Sequence, residues 1–195
     1  LGGGSRVKFC SRRLRSTHVT VVEIDANVIA LRAHFSIPPD GTDLRVVHGD
    51  GARYVADLAD SAEFPDVLLV DAYDRNGISR SIAEPEFIEN SRRILGDDGV
   101  FVMNLAAHES DSTLHVERIR KVFGDPVIPV TVGWGGNMVV FAGPALRDRR
   151  RLEAAPENAR RVERTLDLDF RILPGLVRKH LQQAQYESMQ PDPAR

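Results

Sequence analysis

The sequence predicts an α/β domain with a mostly parallel sheet, closed by an antiparallel hairpin and covered by helices on both faces. Four short apolar runs alternate with segments of helical spacing, which is typical of parallel strands joined by helices. After the fourth run the order changes, because two strand-like runs follow each other across a short glycine-rich link. Such a link joins antiparallel neighbours.

The predicted strands are short runs dense in β-branched and other apolar residues. The four parallel strands are predicted at 19–24, 44–47, 66–70 and 100–105, and the hairpin strands at 127–132 and 138–142 around the link at 133–137. We assign 1–146 to one α/β domain, and 147–195 to a helical extension of it.

Helices are predicted where apolar residues recur at intervals of three and four. The first helix is expected at about 6–14, after the glycines that open the chain. Three further helical stripes are Val28, Leu31 and Phe35; Phe87, Ser91, Ile94 and Leu95; and Val116, Ile119 and Phe123, the last stopped by Gly124 and Pro126.

Composition argues against several classes of function. A net charge of −2 gives no basic field for nucleic acid, and no apolar stretch approaches the roughly 20 residues of a membrane span. The six histidines show no metal-ligand spacing, so we expect no metal. Cys10 is the only cysteine, which suits a cytoplasmic protein, and it fits a buried filler better than a nucleophile.

The triplet Gly2, Gly3 and Gly4 precedes the first predicted helix. Glycines in such a turn let the backbone approach a ligand and point N–H groups at it, although a triplet alone is also an ordinary flexible turn. Glu23 ends the first strand nineteen residues after Gly4, close to the spacing of about 20 at which an acid accepts ribose hydroxyls. The alternative for Glu23 is a helix N-terminal acid, a role that Asp25 fits better.

Asp50 and Gly51 follow the second predicted strand. An acid there can accept a hydrogen bond from an adenine amino group, while Gly51 lets the backbone come close. Asp50 can instead cap the helix that follows. Taken together with Glu23 and the glycines, the position favours adenosine binding.

Asp71 and Asp74 follow the third predicted strand, at the carboxyl end where open α/β sheets place their chemistry. Two carboxylates three residues apart suit an amine substrate, since one can hold an ammonium and the other can take a proton. The structural alternative is an Asx-rich turn. The strand end favours the functional interpretation.

Read together, five motifs resemble the spermidine synthase family of aminopropyltransferases, in order and with family-like gaps. They are GGGS from Gly2, VVEID from Val21, NVIALRAHF from Asn27, HGDG from His48 and VLLVDAYD from Val67. The resemblance covers most of residues 1–143. It implies a Rossmann-like fold of the adenosylmethionine-dependent transferase class, with decarboxylated S-adenosylmethionine (or S-adenosylmethionine) as co-substrate.

By that resemblance, Glu23 binds ribose and Asp50 binds adenine, Asp71 is the catalytic acid of a D-x-x-D loop, and Asp74 helps to hold the acceptor amine. The expected partner is a small amine such as putrescine, with a homodimer as a further option, and no nucleic acid or membrane. Ser5 and Arg6 depart from the family's G-G-G-D-G-G motif. Residues 71–78, which we call the acidic loop, lack the family's D-S-S-D-P-x-G-P sequence. Asn104 roughly replaces a family glutamine.

Two other functions stay open. Some protein N-methyltransferases share the glycine, VEID and acidic-loop motifs and also carry F-x-x-N-L, which fits Phe101 to Leu105. A non-catalytic protein that keeps the nucleotide-binding fold is the alternative from another class. The glycine turn also lacks the strand that should lead into it, so we expect a first strand upstream of Leu1. The family resemblance implies a small β-domain there as well.

Overall fold

The computed structural model describes residues 1–14, 16–61, 63–75, 77–106, 111–132 and 136–166, together with positions 168, 170, 175, 178, 179 and 182. The chain divides into two compact units, Leu1–Ser61 and Ala62–Arg195. No helix in these described ranges is long and apolar enough to cross a bilayer.

The first unit is a two-stranded parallel sheet with three helices. Its elements are α1 (Ser5–Arg13), β1 (Val19–Glu23), α2 (Ala26–Ala30), β2 (Leu44–His48) and α3 (Gly51–Ala59). The strands pair in register from Val19 opposite Leu44 to Glu23 opposite His48. Both strands therefore end at one edge, as the sequence predicts. The core consists of Val7, Ile37 and Leu44, with Leu1, Val19, Val21 and Val46 packed against it.

One predicted helical stripe is wrong in its second half. Helix α2 ends at Ala30, and Leu31 and Phe35 are 45% and 43% exposed instead of buried. The chain continues in turns up to Ser36, which adopts a left-handed φ of 52°. The Arg32 guanidinium then binds the Asp40 carboxylate at 2.7 Å and the Pro38 carbonyl, so polar contacts of the loop set its path.

The second unit contains a four-stranded sheet, a separate pair of short strands and the helices that follow α3 in the described part of the chain. Its strands are β3 (Val67–Val70), β4 (Tyr73–Asp74), β5 (Gly77–Ile78), β6 (Val100–Ala106), β7 (Ile128–Val132) and β8 (Asn137–Ala142). Its helices are α4 (Arg80–Ala83), α5 (Pro85–Ile94), α6 (Ser112–Phe123) and α7 (Arg149–Leu166), with a 3-10 turn at Pro144–Arg147.

The sheet order is β3-β6-β8-β7, in which β3 and β6 are parallel and β8 is antiparallel to both neighbours. The α/β class and the antiparallel hairpin after the last parallel strand are confirmed. The middle of the hairpin link, 133–135, lies outside the described residues. A small hairpin of β4 and β5 forms within the acidic loop, where no strand is predicted.

Alternation along β6 decides which of its residues join the core. Phe101, Met103 and Leu105 are at most 1% exposed, and the Phe101 ring lies 5.1 Å from that of Phe123 in α6. Burial of each large apolar side chain contributes about 1.5–3 kcal/mol. The stripes predicted on α5 and α6 are buried as expected. Asn104 lies between two core residues of β6 and thus on the opposite face of the sheet.

Candidate functional site

The glycine turn places α1 at the carboxyl edge of the first unit's sheet. The Gly4 N–H donates to the Leu1 carbonyl at 3.0 Å, and Gly2 and Gly4 adopt left-handed φ values of 49° and 70°. A side chain at Gly4 would collide with Ile37 of the core, whereas a Cβ at Gly2 or Gly3 would meet no atom within 4 Å. Gly4 is therefore required for packing, and the other two leave backbone open to a ligand.

Glu23 lies against this turn. Its Oε1 accepts the Asp25 N–H and its Oε2 accepts a hydrogen bond from the Leu1 main-chain nitrogen, both at 3.0 Å, and its side chain is 15% exposed. Burial opposes ionisation, but hydrogen bonds from the main-chain nitrogens of Asp25, Leu1 and Gly2 lower the pKa of Glu23 below its ordinary 4.5. At neutral pH the group is an ionised acceptor beside exposed glycine backbone.

Asp25 fills the helix-capping role that was the alternative for Glu23. Its Oδ1 accepts the Asn27 N–H at 2.8 Å at the start of α2. An Asp at this position satisfies one of the unpaired N–H groups of the first helical turn. Asp25 therefore caps α2, and Glu23 contacts the glycine turn instead.

Asp50 caps α3, which confirms the structural alternative considered for it. Its Oδ1 accepts the N–H groups of Ala52 and Arg53 at 2.8 and 3.0 Å. The Gly49 N–H donates to the Glu23 carbonyl at 3.0 Å, so the residues after β2 stay close to the end of β1. Contact with adenine stays a prediction.

Ile24 is a residue of this edge that the sequence reasoning missed. It stands between Glu23 and Asp25 and is 63% exposed, which makes it an apolar surface beside an ionised carboxylate. A large apolar residue between two acids at a strand end was the available signal.

In the second unit, Asp71 lies directly after β3. Parallel pairing puts Val70 opposite Met103, and Asp71 follows next to Asn104. The Asn104 Nδ2 donates to Asp71 Oδ1 at 2.8 Å, and the Asp71 side chain is exposed. Asp74 lies three residues on, in β4, and is also exposed.

Tyr73 is the second residue that the sequence reasoning missed. Its hydroxyl donates to the Asn104 carbonyl at 3.0 Å and accepts the Ala106 N–H at 2.7 Å. The acidic loop is thereby attached to the end of β6. An aromatic residue between the two acids was the only available signal, and nothing in its spacing indicates a partner 31 positions away.

The predicted site residues therefore form two groups. The glycine turn, Glu23, Asp50 and Gly51 lie at one edge of the first unit, and Asp71 and Asp74 lie on one loop of the second unit. Burial raises the pKa of the Cys10 thiol, which disfavours the nucleophilic thiolate. In the described part of the chain, no three His, Cys, Asp or Glu side chains are grouped to hold a metal ion.

Comparison with known proteins gives consistent matches. Residues 5–130 match the family model of the spermine/spermidine synthase domain. Over 178 residues the chain is 30% identical to a polyamine aminopropyltransferase of Neisseria meningitidis, covering 90% of this chain and 66% of that protein. It is also 26% identical, over 173 residues, to an eEF1A lysine and N-terminal methyltransferase of Xenopus laevis, covering 85% of this chain and 25% of that protein.

Among solved structures, human methyltransferase-like protein 13 in complex with SAH superposes with a TM-score of 0.77. The identity is 22%, and the match covers 87% of this chain and 80% of that chain. This likeness shows a Rossmann-like methyltransferase-type fold. The chain spans just under two thirds of the length of the Neisseria relative.

Proposed function

The chain belongs to the spermine/spermidine synthase family, and we propose on that basis that it is a transferase that moves an aminopropyl group from decarboxylated S-adenosylmethionine to a diamine such as putrescine. The observation that carries the proposal is the exposed Asp71 carboxylate after β3, held at 2.8 Å by the Asn104 amide. We also propose that the protein is located in the cytoplasm and that its partner is a small amine.

The first unit has the groups that an adenosyl donor needs. Glu23 is ionised and can accept two ribose hydroxyls, because a carboxylate has two acceptor oxygens. Gly2 and Gly3 leave room for close approach, and α1 presents its N-terminal N–H groups at the same turn. Exposed Ile24 offers an apolar contact for a purine ring, next to the proposed adenine partners Asp50 and Gly51.

The second unit has the groups that an amine acceptor needs. An alkylammonium has a pKa of about 10, like that of lysine, so its nitrogen must lose a proton before it attacks carbon. We assign that proton to the Asp71 carboxylate. The nitrogen then forms the new C–N bond while the C–S bond of the sulfonium breaks and the thioether leaves. Asp74 holds the positive charge of the acceptor.

Donor choice tests the proposal. Calorimetry with decarboxylated and intact S-adenosylmethionine, followed by a transfer assay over a panel of diamines, should show binding and turnover with the decarboxylated donor. Absence of turnover with either donor would favour a non-catalytic protein. A homodimer, which is also proposed, would give twice the 21.6 kDa chain mass in light scattering.

Methyl transfer to a nitrogen is the second candidate. It is favoured by the similarity to the Xenopus methyltransferase and by the F-x-x-N-L sequence from Phe101 to Leu105. A methyltransferase must accommodate the methionine carboxylate that the decarboxylated donor lacks. Tighter binding of intact S-adenosylmethionine, together with methylation of an amine, would replace the aminopropyl proposal with this one.

A further inference from the structure

We infer that Tyr73 and Asn104 are positioning residues that fix the Asp71 carboxylate against the end of β6. The inference concerns how the loop is held, and its catalytic meaning rests on the proposed function. Tyr73 acts on the main chain of β6, and Asn104 acts on the Asp71 side chain.

The Tyr73 hydroxyl makes the hydrogen bonds that residue 72 would make if β3 continued past Val70. In a parallel ladder, a residue donates to the carbonyl before its partner and accepts from the N–H after it. The β3–β6 register, with Val70 opposite Met103, would put residue 72 opposite Leu105, between the Asn104 carbonyl and the Ala106 N–H. Those are the two groups that the Tyr73 hydroxyl binds, at 3.0 and 2.7 Å.

The backbone groups of the loop form their hydrogen bonds with residues outside β6. The Ala72 carbonyl accepts the Ser79 N–H at 3.0 Å, and Tyr73 and Asp74 pair with Ile78 and Gly77 in the small hairpin. The backbone therefore leaves the sheet after Val70. The Tyr73 hydroxyl supplies the next pair of hydrogen bonds to β6. These bonds lie directly beside the Asp71–Asn104 pair.

Asn104 then orients the carboxylate. Its neighbours Met103 and Leu105 are buried in the core, so its side chain lies on the other face of β6. An ionised carboxylate only accepts hydrogen bonds, which requires the amide nitrogen to face Asp71 Oδ1. Asn104 thus touches the loop twice, through its carbonyl to Tyr73 and through its amide to Asp71.

Such a clamp matters for a proton acceptor because alignment of the reacting groups supplies a large share of a rate enhancement. Without it, the exposed Asp71 side chain would lose the hydrogen bond that fixes its Oδ1 against β6. We expect loss of either contact to lower turnover and to leave donor binding intact.

NMR of the whole chain tests the contacts without any need for activity. In Tyr73→Phe, the Ala106 amide should exchange with solvent about tenfold faster or more, because its partner is removed. Tyr54→Phe in α3 is the matched control and should leave Ala106 unchanged. In the wild type, the Asn104 side-chain amide signals should shift in acid as the Asp71 carboxylate takes up a proton. They should not titrate in Asp71→Asn.

Kinetics tests the positioning role. Asn104→Leu should lower kcat about 10–100-fold with unchanged affinity for thioadenosine, and Asn104→Gln should recover part of the loss. If Asn104 acts through Asp71, adding Asn104→Leu to Asp71→Asn should cost no more turnover than Asp71→Asn alone. Asn137→Leu makes the same change in β8, next to Ala106, and should have little effect.

The inference would be overturned if the Ala106 amide exchanged at the same rate in Tyr73→Phe as in the wild type. It would also be overturned if the Asn104 side-chain amide signals responded to acid in the same way in the wild type and in Asp71→Asn. So would wild-type turnover in a folded Asn104→Leu protein. If the wild type itself transfers nothing from either donor, the proposed function fails alone, and the NMR results still decide whether the two residues fix Asp71.

Discussion

Glu23 ends a parallel strand and Asp71 directly follows one, but main-chain nitrogens contact the first carboxylate, whereas the Asn104 side chain contacts the second. Glu23 accepts hydrogen bonds from the nitrogens of Leu1 and Asp25, with the Gly2 N–H nearby. Asp71 is held by the amide of Asn104, whose own backbone is held by the Tyr73 hydroxyl. The two carboxylates are therefore vulnerable to different substitutions.

A main-chain contact survives most substitutions, provided that the backbone keeps its path. In the first unit that condition depends on Gly4, which has a left-handed φ and packs against Ile37. In the second unit, the Asn104–Asp71 contact and the Tyr73–Asn104 contact can each be removed by one change of side chain. We therefore expect the contacts of the first unit to respond to backbone changes, and those of the acidic loop to respond to side-chain changes.

The largest effect is expected at Asp71. Asp71→Asn keeps nearly the same shape and still hydrogen-bonds, but it cannot take a proton or balance an ammonium. Turnover should fall by about 10²–10⁴, the usual range for a lost general base, while adenosyl affinity stays nearly unchanged. Steady-state transfer to a diamine panel measures turnover, and calorimetry measures adenosyl affinity.

Asp74→Asn is the matched control on the same loop. It should act mainly on acceptor affinity and thus raise KM for the diamine more than it lowers kcat. Thermal melts confirm that both variants fold. Near-wild-type turnover in Asp71→Asn would contradict the proposed mechanism.

A smaller effect is expected at Glu23. Glu23→Ala should weaken adenosyl ligands with or without a carboxylate tail by roughly ten- to a hundredfold, because charge-assisted ribose contacts are worth about 1.5–3 kcal/mol. Thioadenosine titration measures the change.

Asp25→Ala separates ligand binding from capping. It removes the α2 cap, at a cost of about 1 kcal/mol in stability, but its N–H still donates to Glu23. Affinity for thioadenosine should therefore be retained. Unchanged affinity in a folded Glu23→Ala protein would make Glu23 a structural residue of the glycine turn.

Local patterns sufficed to predict much of the fold. The strands showed as β-branched runs, and the buried stripes of α5 and α6 showed as helical spacing, because burial and period act over a few residues. The stripe from Val28 to Phe35 failed because Arg32 and Asp40 form a loop contact that periodicity cannot report.

The site divides in the same way. The spacing from Gly4 to Glu23 follows from one helix and one strand, so sequence can anticipate that they approach each other. The Tyr73 contact joins residues 31 and 33 positions apart and depends on the β3–β6 register. Register is set by tertiary packing, which is why neither Tyr73 nor the Asn104–Asp71 bond was predicted.

Gly4→Ala tests whether backbone geometry at the glycine turn stabilises the first unit. The substitution places a methyl group against Ile37 and imposes a left-handed conformation on alanine, so we expect a loss of about 1–3 kcal/mol in stability. Gly3→Ala is the matched control, since its Cβ would meet open space. Urea unfolding should show a loss in the first variant and little change in the second. Equal stability of the two variants would contradict this account of the turn.

The smallest effect is a pH dependence of stability that depends on Glu23. Its pKa in the folded chain is lower than the ordinary 4.5, so its ionised form stabilises the fold above that value. This contribution is lost as pH falls through the folded pKa. Glu23→Gln removes the titration, so wild type should exceed the variant in stability at about pH 7, and the difference should shrink towards about pH 3. Urea unfolding of both proteins at the two pH values measures it, and other carboxyl groups cancel because they are common to both. A difference that is constant, or that grows in acid, would show that the main-chain nitrogens around Glu23 do not stabilise its charge.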